Sequence, residues 1–320
     1  MDSNFGYYVR SVDLDINIHP HFFVSKDFVQ FQSSVFEKET LCFGVFNEND
    51  ESPLATVVLA GKNGIWSSPI TGAFGGISVK RGTHIKALDV LVSEIPKLII
   101  SAKGVGLQSI TMRVPPECYP DDTALLSNVL YRGGWLLSDM DVNYHIPVSS
   151  VENYISKLGS TKQKQIKRLV RAGASFQESG YDCLDGVYDV IKKNRAHQGY
   201  PMTMSLDAIK ELANHCSDGL KLFSLTLDNV IVASAICIRV DPKYLYVFYW
   251  GELPEYRSKS PVTLLSKGIV EYCEANRVEV LDIGTSSDSS IPNQGLCSFK
   301  SSLGCKVTQK QTFTWRKSNE

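Results

Sequence analysis

The sequence predicts an α+β fold made of two copies of one module, and three observations predict it. Apolar alternation recurs as a three-strand meander, first over about 41–65 and again over 220–251. A long amphipathic helix pattern follows each meander. Each copy then turns from a shorter helix into a last strand through a glycine, at Gly134-Trp135 and at Gly304-Cys305. The order strand, strand, strand, helix, strand, helix, glycine, strand thus occurs twice, with a helical segment added before the second copy. A boundary near 147–151 gives domains 1–148 and 149–320, each a mixed, mostly antiparallel sheet flanked by helices.

The elements follow from local pattern. Strands at 41–46 and 54–59 flank the polar turn NENDES, and a short run surrounds Ile65. In SSPITGAFGG the glycines at 72, 75 and 76 mark a turn or bulge beside a further short strand. A helix is expected over 83–102, with Ile85, Leu88, Val92, Ile95 and Ile99 three or four apart, ending before Gly104. A strand at 109–114 and a helix at 124–132, capped by Asp121 or Asp122, lead into strands over 135–147. The second copy has strands at 220–227, 230–240 and 243–251. A helix opens there at Ser260-Pro261, where the missing proline N–H costs nothing. A strand at 278–283, a short helix at 295–303 and a strand at 306–315 complete it.

Composition narrows the function classes. Lys plus Arg number 33 against 34 Asp plus Glu, a net charge of -1, so the overall balance points to no polyanionic partner. No apolar run is long enough to span a bilayer and the N-terminus lacks a basic, apolar leader, which predicts a soluble cytoplasmic chain. The 8 cysteines are scattered singly without a CxxC pair, and the 6 histidines do not join them at ligand spacing. Small core residues in a reducing compartment are expected, with no metal site. No HExxH, P-loop or Ser/His/Asp order supports a metalloprotease, ATPase or hydrolase.

Three segments carry a family likeness: SSPITGAFGG at 67–76, the basic helix STKQKQIKRLVRAG at 160–173, and LDIGTSSDSSIPNQGLCSFKSSLG at 281–304. With the repeated layout they make the chain resemble a tandem GCN5-related N-acetyltransferase (GNAT) protein of the Fem (FemAB/FemX-like) acyltransferase family. That family includes peptidyltransferases that take amino acids from aminoacyl-tRNA. In the last segment Gly295, Phe299-Lys300 and Leu303-Gly304 occupy the places of the family's Gly, Phe-Lys and closing glycine. The resemblance implies two acyl-CoA N-acyltransferase-like modules and transfer of an acyl or aminoacyl group to an amine. The acceptor would be a small-molecule amine or a cell-envelope precursor. The donor would be acyl-CoA as co-substrate, or aminoacyl-tRNA, with no permanently bound cofactor. Simple acetyltransferases hold pyrophosphate on N–H groups of a Gly-rich loop entering the long helix. Here that loop is EYRSKSPV, without glycine.

The resemblance makes Lys300 the cation facing charge that develops on the donor carbonyl, with Phe299 packed beside the donor. On that reading Lys300→Ala is expected to lower rate far more than stability. Asp282, an acid ending the apolar strand VEVLDIG, is a general-base candidate or a backbone cap. Arg257, Lys259 and Ser260 precede the second long helix and are the candidates for holding the donor. Tyr249, Trp250 and Tyr256 are candidates for an acceptor groove or for core. Lys164, Arg168 and Arg171 fall at i, i+4 and i+7 on one helix face, either a solvated stripe or a phosphate holder. His197, in NRAHQGYPM, marks an expected lid or substrate loop. The second module is expected to hold the cleft, and two fused modules forming an internal pseudo-pair predict a monomer. A catalytically inactive pair of modules serving as a binding scaffold stays open as the alternative.

Overall fold

A computed structural model describes residues 6–16, 18, 21–104, 106–119 and 123–317. In chain order the elements begin with β1 (Tyr7–Ser11), α1 (Lys26–Phe36), β2 (Glu39–Asn47), β3 (Ala55–Lys62), β4 (Ile65–Ser68) and β5 (Ile77–Val79). Next come α2 (Ile85–Lys103), β6 (Ser109–Arg113), α3 (Thr123–Arg132), β7 (Leu136–Pro147), α4 (Val151–Lys157), α5 (Ser160–Arg171) and β8 (Ser175–Ser179). They are followed by α6 (Leu184–His197), α7 (Leu206–His215), β9 (Leu220–Leu227), β10 (Val230–Asp241), β11 (Tyr244–Glu252) and α8 (Pro261–Ala275). The last are β12 (Val280–Thr285), the short strands β13 (Ser287–Asp288) and β14 (Ile291–Pro292), α9 (Gln294–Ser302) and β15 (Lys306–Arg316). Asp121 and Asp122, the expected caps of α3, lie outside the described residues.

The chain forms two compact units that are not contiguous in sequence. The first takes Met1–Val142, Ser289–Ile291 and Thr308–Glu320; the second takes Asn143–Asp288 and Pro292–Val307. These differ from the expected 1–148 and 149–320 for a physical reason. Residues 143–147 of β7 make their ladder with β12, and residues 312–316 of β15 make theirs with β6.

In the first unit the strand order is β1-β2-β3-β4-β6-β15-β7. α2 begins with His84, whose Nδ1 accepts the Lys86 N–H, and stops at Gly104 in the left-handed region at φ 61°. Its Leu88, Leu91, Val92, Ile95 and Ile99 are buried, and they pack with Val57, Leu59, Ile110 and Leu130 in one core. Along β3, Ala60–Lys62 pair with β4 and Ala55–Val57 pair with β5. β4 and β5 are therefore one strand line, interrupted by the excursion 69–76.

The excursion is fastened at its neck. The Gly76 N–H donates to Ser68 Oγ at 2.9 Å and the Gly75 N–H to the Arg113 carbonyl at 2.9 Å. A Cβ on Gly75 would stand 2.5 Å from the Pro69 nitrogen, so only glycine closes this neck. Further out, Phe74 packs its ring 5.0 Å from Phe23 and 4.5 Å from Tyr119, and Thr71 donates its N–H to Gln32 Oε1 at 3.1 Å.

In the second unit the order is β7-β12-β11-β10-β9-β8, with β12 antiparallel to β7 and parallel to β11. α8 opens with Pro261 and buries ten residues, among them Val262, Leu265, Ile269 and Cys273, against Leu245, Val247 and Leu281. α6 contacts β10 and β11 as well, and the Ser234 hydroxyl donates to the Val187 carbonyl at 2.8 Å. No described helix is long and apolar enough to cross a membrane.

Candidate functional site

The second unit contains a fork. β11 and β12 pair in parallel only at Tyr244↔Val280, Leu245↔Leu281 and Tyr246↔Asp282, although β11 runs on to Glu252 and β12 to Thr285. Beyond Tyr246 and Asp282 the facing edges of the two strands have lost their ladder partners, and such backbone groups need another partner. At the same level β11 carries a bulge against β10. Cys237 faces Val247 and Ile236 faces Tyr249, which leaves Phe248 as the extra residue.

Lys300 answers the deficit on the β12 side. Its ammonium, 2% exposed, donates to the carbonyls of Ile283, Gly284 and Thr285, each at 2.8 Å. A lysine has three hydrogens to give, and all are spent here. Where the sequence reading set Lys300 against a developing oxyanion, in this structure its N–H groups hold the end of β12.

Asp282, at the vertex of the fork, is 1% exposed. Its Oδ1 accepts from Asn143 Nδ2 and from the Gly284 N–H, both at 2.9 Å. That is the capping arrangement of the two readings offered by the sequence. His145 is registered opposite Asp282, and burial pushes its imidazole below the ordinary value, against the field of the carboxylate. Burial, helped by Asp282, raises the Tyr246 hydroxyl well above its ordinary value. Asn143, His145 and Tyr246 were missed from the sequence because only strand register brings them to Asp282.

The start of α8 forms the other wall. Glu252, the last residue of β11, accepts the Val262 N–H on Oε2 at 3.2 Å. Burial raises its carboxyl; the Val262 N–H, Arg257 and Lys162 pull it back down. Lys162, from the first turn of α5, donates to Thr263 Oγ1 at 3.3 Å and lies 5.0 Å from the Phe299 ring centre. Burial depresses its ammonium and Glu252 opposes the shift. Gln165 donates to Ser260 Oγ at 3.1 Å, and Phe299 meets Trp250 edge to face at 6.1 Å. An acid closing an apolar aromatic strand, FYWGE, was the one local signal for Glu252.

The other named residues divide between site and surroundings. Ser260 is at the α8 start but its N–H is given to the Arg257 carbonyl at 3.0 Å. Arg257 is exposed, and the Lys259 ammonium lies over the Tyr256 ring at 5.1 Å. Tyr249 is buried, hydrogen-bonded to Thr203 and flanked by Arg195 at 5.5 Å, whereas Trp250 packs with Phe299. Adjacent positions point to opposite faces, so Tyr249 and Trp250 do not share a groove. His197 is exposed in the last turn of α6. The loop after it is tethered, since Arg195 donates to the Pro201 carbonyl at 2.8 Å and Asn293 to the Tyr200 hydroxyl at 3.0 Å. Lys164, Arg168 and Arg171 are exposed on α5, and none forms an ion pair among the described residues.

This architecture is a tandem GNAT fold. Residues 160–295, from the start of α5 to the start of α9, match the family model described as Acetyltransferase (GNAT) domain. Among solved structures, FemX aligns with a TM-score of 0.72 at 11% identity, covering 97% of each chain. A tandem GNAT protein from the clavulanic acid biosynthesis pathway aligns with a TM-score of 0.56 at 12% identity, over 98% of this chain and 99% of that one. L-PGS from Bacillus licheniformis aligns at 0.58 and 11% identity, over 91% and 88%. No curated protein sequence matches the chain.

Proposed function

We propose that the chain is an N-acyltransferase whose second unit moves an acyl or aminoacyl group from an activated donor to an amine. The observation that carries this reading is the fork with its bulge at Phe248, in the segment that matches the GNAT domain model. The amine nitrogen attacks the donor carbonyl, the C–N bond forms, and the bond to the donor's leaving atom breaks. The oxyanion that develops in between is met by N–H groups of β11 beside the bulge, past its last pair with β12, which the strand fixes before the reaction begins. The amine's proton passes to water. Asp282 and Lys300 act as positioning residues that hold the β12 side of the fork. Mass-spectrometric detection of product from acyl-CoA and charged-tRNA donors with amine acceptors tests the reading. Wild type gives product, and deletion of Phe248, in protein whose melting is retained, removes it. A scaffold gives product with no donor.

A specific observation favours an aminoacyl-RNA donor. Lys164, Lys167, Arg168 and Arg171 form an exposed cationic face on α5 that no acid neutralises among the described residues, and the Fem family that the sequence resembles includes users of aminoacyl-tRNA. Phosphate contacts of this kind give salt-sensitive binding. The pair Lys164→Glu and Arg168→Glu is expected to weaken tRNA binding by about tenfold or more with unchanged melting. No RNA binding by wild type at low salt would overturn this donor.

A further inference from the structure

The fold class uses the N–H groups at the start of its long helix for the diphosphate of coenzyme A, and in α8 those donors are taken. Pro261 has no N–H. The Val262 N–H is given to Glu252 Oε2 at 3.2 Å, the Thr263 N–H to the Ser260 carbonyl at 3.0 Å, and the Ser260 N–H to the Arg257 carbonyl at 3.0 Å. No backbone N–H of residues 260–263 is left over for an incoming phosphate. The seat also already contains an anion, because Glu252 lies where a phosphate oxygen would have to accept from Val262. Its surroundings keep it there. Lys162 and Arg257 attract it, and Lys162 is itself anchored on Thr263 and the Phe299 ring. Gln165 closes over Ser260, whose left-handed φ of 53° turns the chain into the helix.

We infer that Glu252 is a donor-specificity residue: a built-in carboxylate that occupies the α8 start and excludes the diphosphate of coenzyme A thioesters from the second unit. Two anions cannot share one N–H donor, and in a partly buried site their repulsion is poorly screened. Coenzyme A, implied by the fold class, therefore does not fit the residues present at the α8 start. The inference rests on the reading that the second unit binds the donor, but its test is binding alone and needs no turnover.

The experiment is calorimetric and thermal-shift titration of the whole chain with coenzyme A, acetyl-CoA and pantetheine, the last lacking a diphosphate. Wild type, Glu252→Gln and Glu252→Ala are compared. Wild type is expected to show no saturable binding at millimolar coenzyme A. Glu252→Ala, which removes the charge and frees the Val262 N–H, is expected to bind coenzyme A and acetyl-CoA at least about tenfold more tightly, weakening with salt; Glu252→Gln, which removes the charge but can still accept that N–H, is expected to gain less, and neither gains for pantetheine. Wild-type binding equal to that of the variants would overturn the inference, as would two folded variants with no gain, or an equal gain for pantetheine. An absence of acyl transfer by wild type, alongside a gain in the variants, would sink the proposed activity and leave this inference standing.

Discussion

The third meander strand differs between the two units, and the difference decides where a strand edge is left open. In the second unit it is the continuous β11, with one extra residue, Phe248, after its fourth position. In the first unit the line breaks after its fourth residue too, but the interruption is the excursion 69–76, and the strand resumes as β5. The ladders to the next strand differ accordingly. β4 pairs with β6 through all four residues, Ile65↔Ser109 to Ser68↔Met112, and Gly75 prolongs the ladder onto the Arg113 carbonyl. β11 leaves β12 after three pairs. The first unit is zipped where the second is forked, although the order of their elements is the same.

A fork leaves carbonyls without ladder donors, and the following helix shows how each unit deals with that. Counting back four residues from the glycine that ends it, α3 has Leu130, fully buried in its core, and α9 has Lys300. The zipped unit needs no donor there; the forked unit uses an ammonium for three carbonyls. Lys300→Leu is therefore expected to give the largest effect, a loss of about 3–5 kcal/mol measured by urea denaturation, since two buried acceptors and a half-buried one lose their ammonium donor. The reverse change, Leu130→Lys, buries a cation with no carbonyl row to receive it, and is expected to be as severe. A Lys300→Leu protein of unchanged stability would break the comparison.

The sequence showed the repeat and most elements because periodicity and glycine punctuation are local. The helices at 83–102 and 295–303 are found at Ile85–Lys103 and Gln294–Ser302, and the strand at 220–227 at Leu220–Leu227. It did not show β1, α1 or the collinearity of β4 with β5, which depends on partners far along the chain. The site was legible in part. Lys300, Asp282 and Phe299 do lie at the fork, but their roles turn on satisfied hydrogen bonds that no pattern encodes. An ammonium in an uncharged stretch reads the same whether it meets a substrate or three carbonyls.

The zipped unit offers two further tests, in descending size. His21 lies against Phe74 at 5.1 Å, and burial pushes its imidazole down from 6.5 to about 4, with a hydrogen bond to the Gly75 backbone opposing the shift. A depressed imidazole pKa means that the unfolded chain takes up the proton first. Stability is then lost as pH falls through 6.5 and continues to fall until about 4, by on the order of 3 kcal/mol over that window. Denaturation of wild type against His21→Gln is expected to show this excess slope in wild type alone; parallel curves would refute it. Gly75→Ala meets the Pro69 nitrogen and is expected to cost about 1–3 kcal/mol. It would spare the fork, so coincident loss of transfer would mean that the first unit does more than close on itself.

The smallest effect concerns the forked unit's own anion. Glu252 has its carboxyl raised by burial despite Val262, Arg257 and Lys162. A carboxyl raised in the folded state contributes stability that is present below the unfolded value of 4.5 and is lost as pH rises through the folded value. At neutral pH the wild type therefore carries a penalty that Glu252→Gln lacks, while the amide oxygen can still accept the Val262 N–H. The variant is expected to melt about 1–2 °C higher near pH 7.5, with the gap closing as pH approaches 4.5. A variant that melts lower at pH 7.5 would mean that Glu252 stabilises the second unit through its ion partners, and the carboxylate would then be there for folding rather than for choosing a donor.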